Sequence, residues 1–320
     1  MRYFLALLLF AYLASPFALA FAQPMDADTI NAASPLDQGD KKAGMIRLQV
    51  LLDRASASPG WIDGLAGPST ERAISAFEKM RGLEIDGQVD EEVWSLLTKD
   101  SADVIQTYEI TEEDAGRKLI DDVEPGEYEA MKGLECLCYH RHSEALAEKF
   151  HMDEELLKTL NPDADFSKAG QSILVTAPGK RPQLSVAKVV VDKSKSQVFG
   201  YDADDKLVYA ARAAVGSDQT PSPSGDMEVT SVALDPTYTY DAKKNFGKDE
   251  DKIFEIAAGP NGPVGSVWIG LTKPTYGIHG TPHPEKLNTM ASHGCVRMTN
   301  WDATELAYLV KAGVPVSFRD

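Results

Sequence analysis

Cysteine is nearly absent: only Cys136, Cys138 and Cys295 occur in 320 residues. An odd count excludes complete pairing, so at least one thiol stays free even in an oxidising compartment. Long apolar runs are also lacking after the first twenty or so residues, which excludes a later membrane span of about 20 residues. Positive charge is in short supply, with 32 Lys and Arg against 49 Asp and Glu, a net charge of -17 and a pI near 4.8. Such a field repels nucleic-acid phosphates and anionic lipid, and so argues against a polyanionic partner. What remains is ordinary for a globular chain, 43% hydrophobic and 25% charged. The length suits two or three compact units.

The start of the chain points to export. Arg2 precedes the apolar run Tyr3 to Leu13, and two A-x-A patterns follow, Ala18-Leu19-Ala20 and Ala20-Phe21-Ala22. Pro16 interrupts the run, which is short for a bilayer span. Residues 1–22 are therefore expected to be a signal peptide cut after Ala20 or Ala22, leaving a protein of the periplasm or cell envelope with no membrane attachment. No cysteine stands near either cleavage pattern, so a lipid anchor is not indicated.

Residues 23–43 are polar and aperiodic, and are expected to form a flexible leader. Helical spacing follows over residues 44–99, in Ile46, Val50 and Leu51, then Ala73, Ile74 and Phe77, then Val93, Leu96 and Leu97. This unit contains an echo: Ile62-Asp63-Gly64-Leu65-Ala66-Gly67 is matched by Ile85-Asp86-Gly87-Gln88-Val89-Asp90. Each copy leads through a D-G turn into a helix, with Ser69 and Asp90 as expected N-caps. The stretch resembles a small all-α peptidoglycan-binding domain of three helices. A helical module with another partner is the alternative.

The middle segment, residues 102–178, is less regular. Its second half predicts two short helices, an Asn-Pro stop and a strand entered from Gly170. That half resembles the latter part of a LysM carbohydrate-binding module of α+β type, whose first strand would be Gln106 to Thr111 with an acidic insertion between. A spacer role is the alternative. The insertion holds Cys136-Leu137-Cys138-Tyr139-His140-Arg141-His142. As a strand it would point two thiols and two imidazoles to one face, a possible zinc or copper site. A C-x-C pair within a strand is poorly placed for a disulfide.

From residue 183 to 320 the pattern turns to strands. Ala187, Val189 and Val191 share a face, Gln197 to Tyr201 and Leu207 to Val215 flank the turn Asp202 to Asp205, and Met227 to Leu234 follows the loop Thr220 to Gly225. A helix is expected from Trp301 to about Lys311, capped by Thr299 or Asn300, then a strand Val314 to Phe318. The fold class is thus multidomain, ending in a mostly β domain with one late helix.

Chemistry concentrates in Tyr276 to Ala303. A thiol with an ordinary pKa of about 8.5 needs a base or a lowered pKa to attack at neutral pH. His279 and His293 are both candidates, each followed by a glycine. The amides of Gly294 and Cys295 would serve as oxyanion donors, and Arg297 would pair with a substrate carboxylate. A buried inert thiol is the bland alternative. A metal set of His279, His283, His293 and Cys295 follows no familiar zinc spacing. His283 alone reads as a loop residue, and Trp268 and Tyr276 as groove-lining or half-buried strand aromatics.

This cluster resembles the L,D-transpeptidase catalytic domain of the YkuD type, whose signature is a histidine, a spacer and S/T-H-G-C, here His279 and Ser292-His293-Gly294-Cys295. The resemblance covers about the last 135 residues and includes the strings "VGSVWIGL" and "RMTNWDA". It implies a YkuD-like β-sandwich, Cys295 as nucleophile, His279 as base with its ring oriented by the Gly280 carbonyl, and His293 shaping the site. Ser292, Tyr276 and Arg297 would contact substrate, although Arg297 stands where one branch of the family has asparagine. The implied substrate is the wall stem peptide, commonly the bond from meso-diaminopimelate to D-alanine, with 3→3 cross-links as product. No cofactor or metal is implied, the glycan and stem peptides are the expected partners, and a carbapenem is expected to acylate Cys295. The same acyl-enzyme would serve an L,D-carboxypeptidase, an endopeptidase or a protein-to-wall anchoring enzyme. A non-catalytic wall-binding scaffold is the remaining rival.

Overall fold

The computed structural model describes residues 25–123, 126–216, 224–246, 250–287 and 294–320. The expected signal peptide, most of the loop 220–225, and Ser292 and His293 lie outside the described residues.

The expected flexible leader instead contains a helix, α1 (Ala27–Ala32), with Ile30 fully buried. Its partner is remote in sequence: Asn31 Oδ1 accepts from the amides of Val104 and Ile105, and Asn31 Nδ2 donates back to the Ile105 carbonyl. Composition shows no such contact, because the strand it caps lies more than seventy residues away.

α2 (Lys41–Arg54), α3 (Pro68–Arg81) and α4 (Glu91–Leu97) form the helical unit. Asp40 caps α2 and Asp90 caps α4. Ser69 does not cap α3; Gly67 holds that position, Pro68 opens the helix, and no side chain caps it. The echoed D-G turns are pinned alike. Gln49 Oε1 accepts from Asp63 N and Gly64 N, while Glu78 Oε2 accepts from Asp86 N and Gly87 N. Each helix thus carries one buried polar side chain that satisfies the amides of the next turn. Phe77, 1% exposed, anchors this core; truncation to alanine would cost about 3–5 kcal/mol.

In the middle segment β1 (Ile105–Glu109) pairs antiparallel with β2 (Ser172–Thr176). Between them lie α5 (Glu112–Ala115), α6 (Tyr128–Met131), α7 (His142–Lys149) and α8 (Glu154–Leu160). Asn161 ends α8 and ties it to β2, accepting from Leu174 N and donating to the carbonyls of Leu157 and Leu174. This segment shares one apolar core with the helical unit, and that core reaches Phe199, Leu207 and Ala210 of the next domain.

The C-terminal domain has β3 (Lys188–Asp192), β4 (Gln197–Tyr201), β5 (Leu207–Arg212), β6 (Gly225–Leu234), β7 (Tyr238–Asp241), α9 (Ala242–Phe246), β8 (Ile253–Ile256), β9 (Val267–Leu271), β10 (Gly277–His279), β11 (Val296–Arg297), α10 (Asn300–Leu309) and β12 (Pro315–Arg319). Eight strands form one sheet in the order β11-β10-β9-β6-β12-β3-β4-β5, and β7 and β8 form a separate hairpin. The long β6 pairs with β12 through its first half and with β9 through its second, with an irregularity between Val229 and Ser231 that bends it. The expected sandwich is therefore a single curled sheet, because β6 belongs to both halves.

β5 ends at Arg212 rather than Val215, and just beyond it Ala214 exchanges both backbone hydrogen bonds with Arg297 of β11, at 2.8 and 2.9 Å. The two ends of the sheet thereby meet. The edge of β5 is covered by residues 56–58 of the helical unit, through Ser58 N to Ala210 O and Ala210 N to Ser56 O.

The possible metal strand is a disulfide. Cys136 and Cys138 are bonded to each other, with their Cα atoms 5.2 Å apart. The backbone there is neither strand nor helix, so strand geometry does not separate the sulfurs. Leu137 is held at this bend by the 258–261 loop, donating to Ala258 O and accepting from Asn261 N. The imidazoles diverge, His140 toward Ile120 O and His142 toward Asp114 O. Among the described residues no group of three His, Cys, Asp or Glu could hold a metal.

Candidate active site

Cys295 takes no part in the disulfide, and it directly precedes β11. β10 and β11 run parallel, with Ile278 opposite Val296 and His279 opposite Arg297. Ile278 and Val296 are fully buried in the domain core. Side chains alternate along a strand, so His279 and Arg297 turn to the other face, and Cys295 lies in the bend that leads into β11.

The His279 ring is 4% exposed and stacks on Trp268, with ring centres 5.7 Å apart. Its Nδ1 lies 2.7 Å from the Gly280 carbonyl. A carbonyl only accepts, so Nδ1 carries the proton and Nε2 presents a lone pair. Burial and the nearby Arg297 charge push the imidazole down to about 4. Burial also pushes the Cys295 thiol up, opposed by a backbone hydrogen bond from Gly277 and by Arg297. At neutral pH the thiol and the imidazole are therefore both uncharged, not an ion pair.

Three neighbours that sequence reasoning missed hold this arrangement. Thr275 has φ +72, a strained conformation for a β-branched residue. Its carbonyl accepts from Cys295 Sγ at 3.5 Å. Asn300 opens α10, accepts from Ser266 N, and donates to Glu148 of the middle segment and to Pro260 O. A Cβ at Gly280 would collide with Asn300 Oδ1, which is why glycine follows the histidine. Tyr128, on α6 of the middle segment, is near enough to feel the Arg297 charge, although burial dominates and raises its pKa.

Gly294 has φ +107, and a Cβ there would lie 2.7 Å from the Tyr276 ring. Tyr276 therefore covers the approach to the cysteine, with Lys273 Nζ 4.0 Å from its ring centre. Among the described residues no carboxylate makes a salt bridge to Arg297. His283 is half-buried beside Glu285, at 3.4 Å. It borders a cavity of about 460 Å³ that Trp61 and Trp301 also line, at the junction of the three units.

Residues 187–317 match the YkuD family, the L,D-transpeptidase catalytic domain, and residues 41–97 match the family described as "Putative peptidoglycan binding domain". Over 177 residues the chain is 32% identical to "Putative L,D-transpeptidase YkuD" of Bacillus licheniformis, a match covering 54% of this chain and 91% of that protein. It is 25% identical over 185 residues to "Probable L,D-transpeptidase YbiS" of Escherichia coli strain K12, covering 55% of this chain and 60% of the other. A solution structure of the catalytic domain from an E. faecium L,D-transpeptidase matches at 22% identity and a TM-score of 0.33, covering 43% of this chain and 100% of that one. The two family matches and the Bacillus relative define a modular acyltransferase family with a peptidoglycan-binding unit. The chain belongs to the YkuD family of L,D-transpeptidases and carries an N-terminal peptidoglycan-binding domain.

Proposed function

We propose that this protein is a peptidoglycan L,D-transpeptidase of the cell envelope that forms 3→3 cross-links through a thioester on Cys295. The observation that carries the reading is the β10–β11 register, which sets His279 opposite Arg297, with Cys295 directly before β11 and the His279 Nδ1 proton committed to Gly280.

His279 Nε2 takes the thiol proton as Sγ adds to the carbonyl carbon between an L- and a D-centre of the stem peptide. Transfer accompanies attack, because the resting pair is neutral. The amides of Gly294 and Cys295 donate to the oxyanion, and Arg297 pairs with a substrate carboxylate. Collapse breaks the C–N bond, and His279 returns the proton to the departing D-alanine amine. A stem-peptide amine then adds to the thioester carbonyl, its proton passes to His279, and the sulfur leaves and recovers that proton. Ser292 and His293 complete the motif, and Tyr276 lines the approach. Residues 44–99 hold the enzyme on its polymer and raise the local substrate concentration.

Purified protein incubated with tetrapeptide muropeptides is expected to yield dimers with 3→3 links and free D-alanine. Trimmed monomers alone would reassign it to an L,D-carboxypeptidase. Intact mass after incubation with a carbapenem is expected to show one covalent adduct, absent in Cys295→Ala. An unmodified wild-type chain would favour a non-catalytic scaffold.

A further inference from the structure

The seam between the wall-binding unit and the catalytic sheet contains an arginine that the proposed reaction does not use. Arg212 closes β5 and is 3% exposed. Its Nη2 is buried with no hydrogen-bond partner, and Arg212 makes no salt bridge among the described residues. One face of the guanidinium is covered by Trp61, whose ring centre lies 4.4 Å from Cζ. Burial, and then the like charge of Arg72, push the group down to about 10, so it stays a cation at neutral pH. An unpaired buried cation is costly, and in a chain of net charge -17 partners are not scarce.

Arg212 lines a cavity of about 240 Å³ whose other walls come from the wall-binding unit. Gly67, Pro68, Ser69 and Thr70 border it, and these residues start the 14-residue helix α3, which no side chain caps. First-turn amides have no intrahelical acceptor and sit at the positive end of the helix dipole, so an anion placed there is stabilised. Arg212 and the helix start therefore border one cavity from two different domains. Asp63 is on the same wall. Its Oδ1 accepts from Gln49 Nε2 and Leu65 N, and its charge reaches Arg212 without a bond. A polyanion such as phosphate would be repelled by Asp63, whereas a carboxylate with an adjacent ammonium would satisfy both ends.

We propose that the cavity between Arg212, Asp63 and the start of α3 is a binding site for an α-amino carboxylate. The carboxylate would meet Arg212 and the α3 amides, and the ammonium would meet Asp63. That the ligand is the free amino-acid end of a wall stem peptide rests on the proposed function; the site itself does not. Arg212 lies two residues before Ala214, whose backbone is bonded to Arg297, so the site sits about 7 Å along the strand from the partner of the active-site edge. Occupying it would fix the wall-binding unit against the sheet and register the polymer with the catalytic face.

The test uses the full mature chain carrying Cys295→Ala and calorimetric titration with meso-diaminopimelate. Binding is expected, and Arg212→Met and Asp63→Asn are each expected to weaken it about tenfold or more, the scale of one lost charged hydrogen bond. Asp63→Asn keeps the Oδ1 acceptor that pins the turn, so it reports even where Arg212→Met fails to fold. Affinity retained in either variant, or inorganic phosphate binding as tightly as the amino acid, overturns the proposal. A carbapenem adduct on the wild-type chain with no diaminopimelate binding would overturn this site and leave the proposed function standing. Binding without an adduct would do the reverse.

Discussion

Two histidines in this protein each stack on a tryptophan, yet their surroundings push them in opposite directions. His279 lies on Trp268 and donates from Nδ1 to a backbone carbonyl. His151 lies on Trp301, ring centres 5.2 Å apart, with Nδ1 2.9 Å from the Asp53 carboxylate. Burial is the largest influence on both and lowers both, but at His151 the charge and hydrogen bond of Asp53, joined by the charges of Asp302 and Glu305, together turn the net direction upward. At His279 the Arg297 charge adds to the effect of burial. A carbonyl partner fixes the tautomer without adding charge, leaving a neutral base with its lone pair outward. A carboxylate partner makes an ion pair, which suits holding α2, the middle segment and α10 together. The chemistry of each imidazole is thus set by what its Nδ1 meets.

Exchanging the two imidazoles' roles gives the largest expected effect. His279→Asn should slow acylation of Cys295 by a carbapenem about 10²–10⁴-fold, the usual contribution of a positioned base. Stopped-flow fluorescence or timed intact mass would measure it. His151→Asn should leave the same rate within about threefold while lowering the thermal midpoint. Its loss strands the buried Asp53 carboxylate, at a cost of about 1–3 kcal/mol. Equal rate losses in both variants would erase the distinction between base and tie.

Gly280→Ala should act next most strongly. The added methyl meets Asn300 Oδ1, so either the Gly280 carbonyl or α10 must shift, and the His279 ring loses its fixed orientation. A fall of about tenfold to a hundredfold in acylation rate is expected from a displacement of an ångström or less. Gly280→Ala combined with Asn300→Gly should recover part of it. No recovery would show that the glycine serves another purpose.

The sequence made some of this legible and hid the rest for a physical reason. Cys295 and His279 stand in one dense motif, and a lone thiol in a chain expected to be exported calls for an explanation, so their candidacy needs no tertiary knowledge. Thr275, Asn300 and Arg212 were missed because their significance lies in partners brought together only by folding. Asn300 connects α10 to Glu148, and Arg212 faces residues of α3. The same limit explains two errors. Residues 27–32 look unstructured until Val104 and Ile105 supply acceptors and donors to Asn31. The Cys136 and Cys138 pair looks unbridgeable only while the segment is assumed to be a strand. Periodic elements such as α3 and β3 were readable because burial repeats locally; the curl of the sheet was not, because Ala214 meets Arg297 across the whole domain.

The smallest expected effect separates the two histidines' regions by pH. Burial pushes Glu148, Asp302 and Glu305, which surround the His151 tie, up to about 7. In the unfolded chain these carboxyls titrate near 4, so between about pH 4 and 7 the folded state binds more protons and their contribution to stability falls as pH rises. The raised His151 acts in the same direction, its contribution fading as pH climbs through its folded value. His279 opposes them only at lower pH. Its folded value of about 4 lies below the unfolded value of about 6.5, so its term grows with pH inside that window and is flat above it. From pH 6.5 to 8 the carboxyl cluster and His151 act without this opposition, and the raised Cys295 thiol adds to the decline at its upper end. The thermal midpoint should therefore decline over that range, by a few degrees at most, and Glu148→Gln should flatten the decline. Acylation by a carbapenem should not lose rate over the same interval, because the imidazole is already neutral throughout it; a rate that fell alongside the midpoint would mean that the seam, rather than the His279 face, controls the thiol.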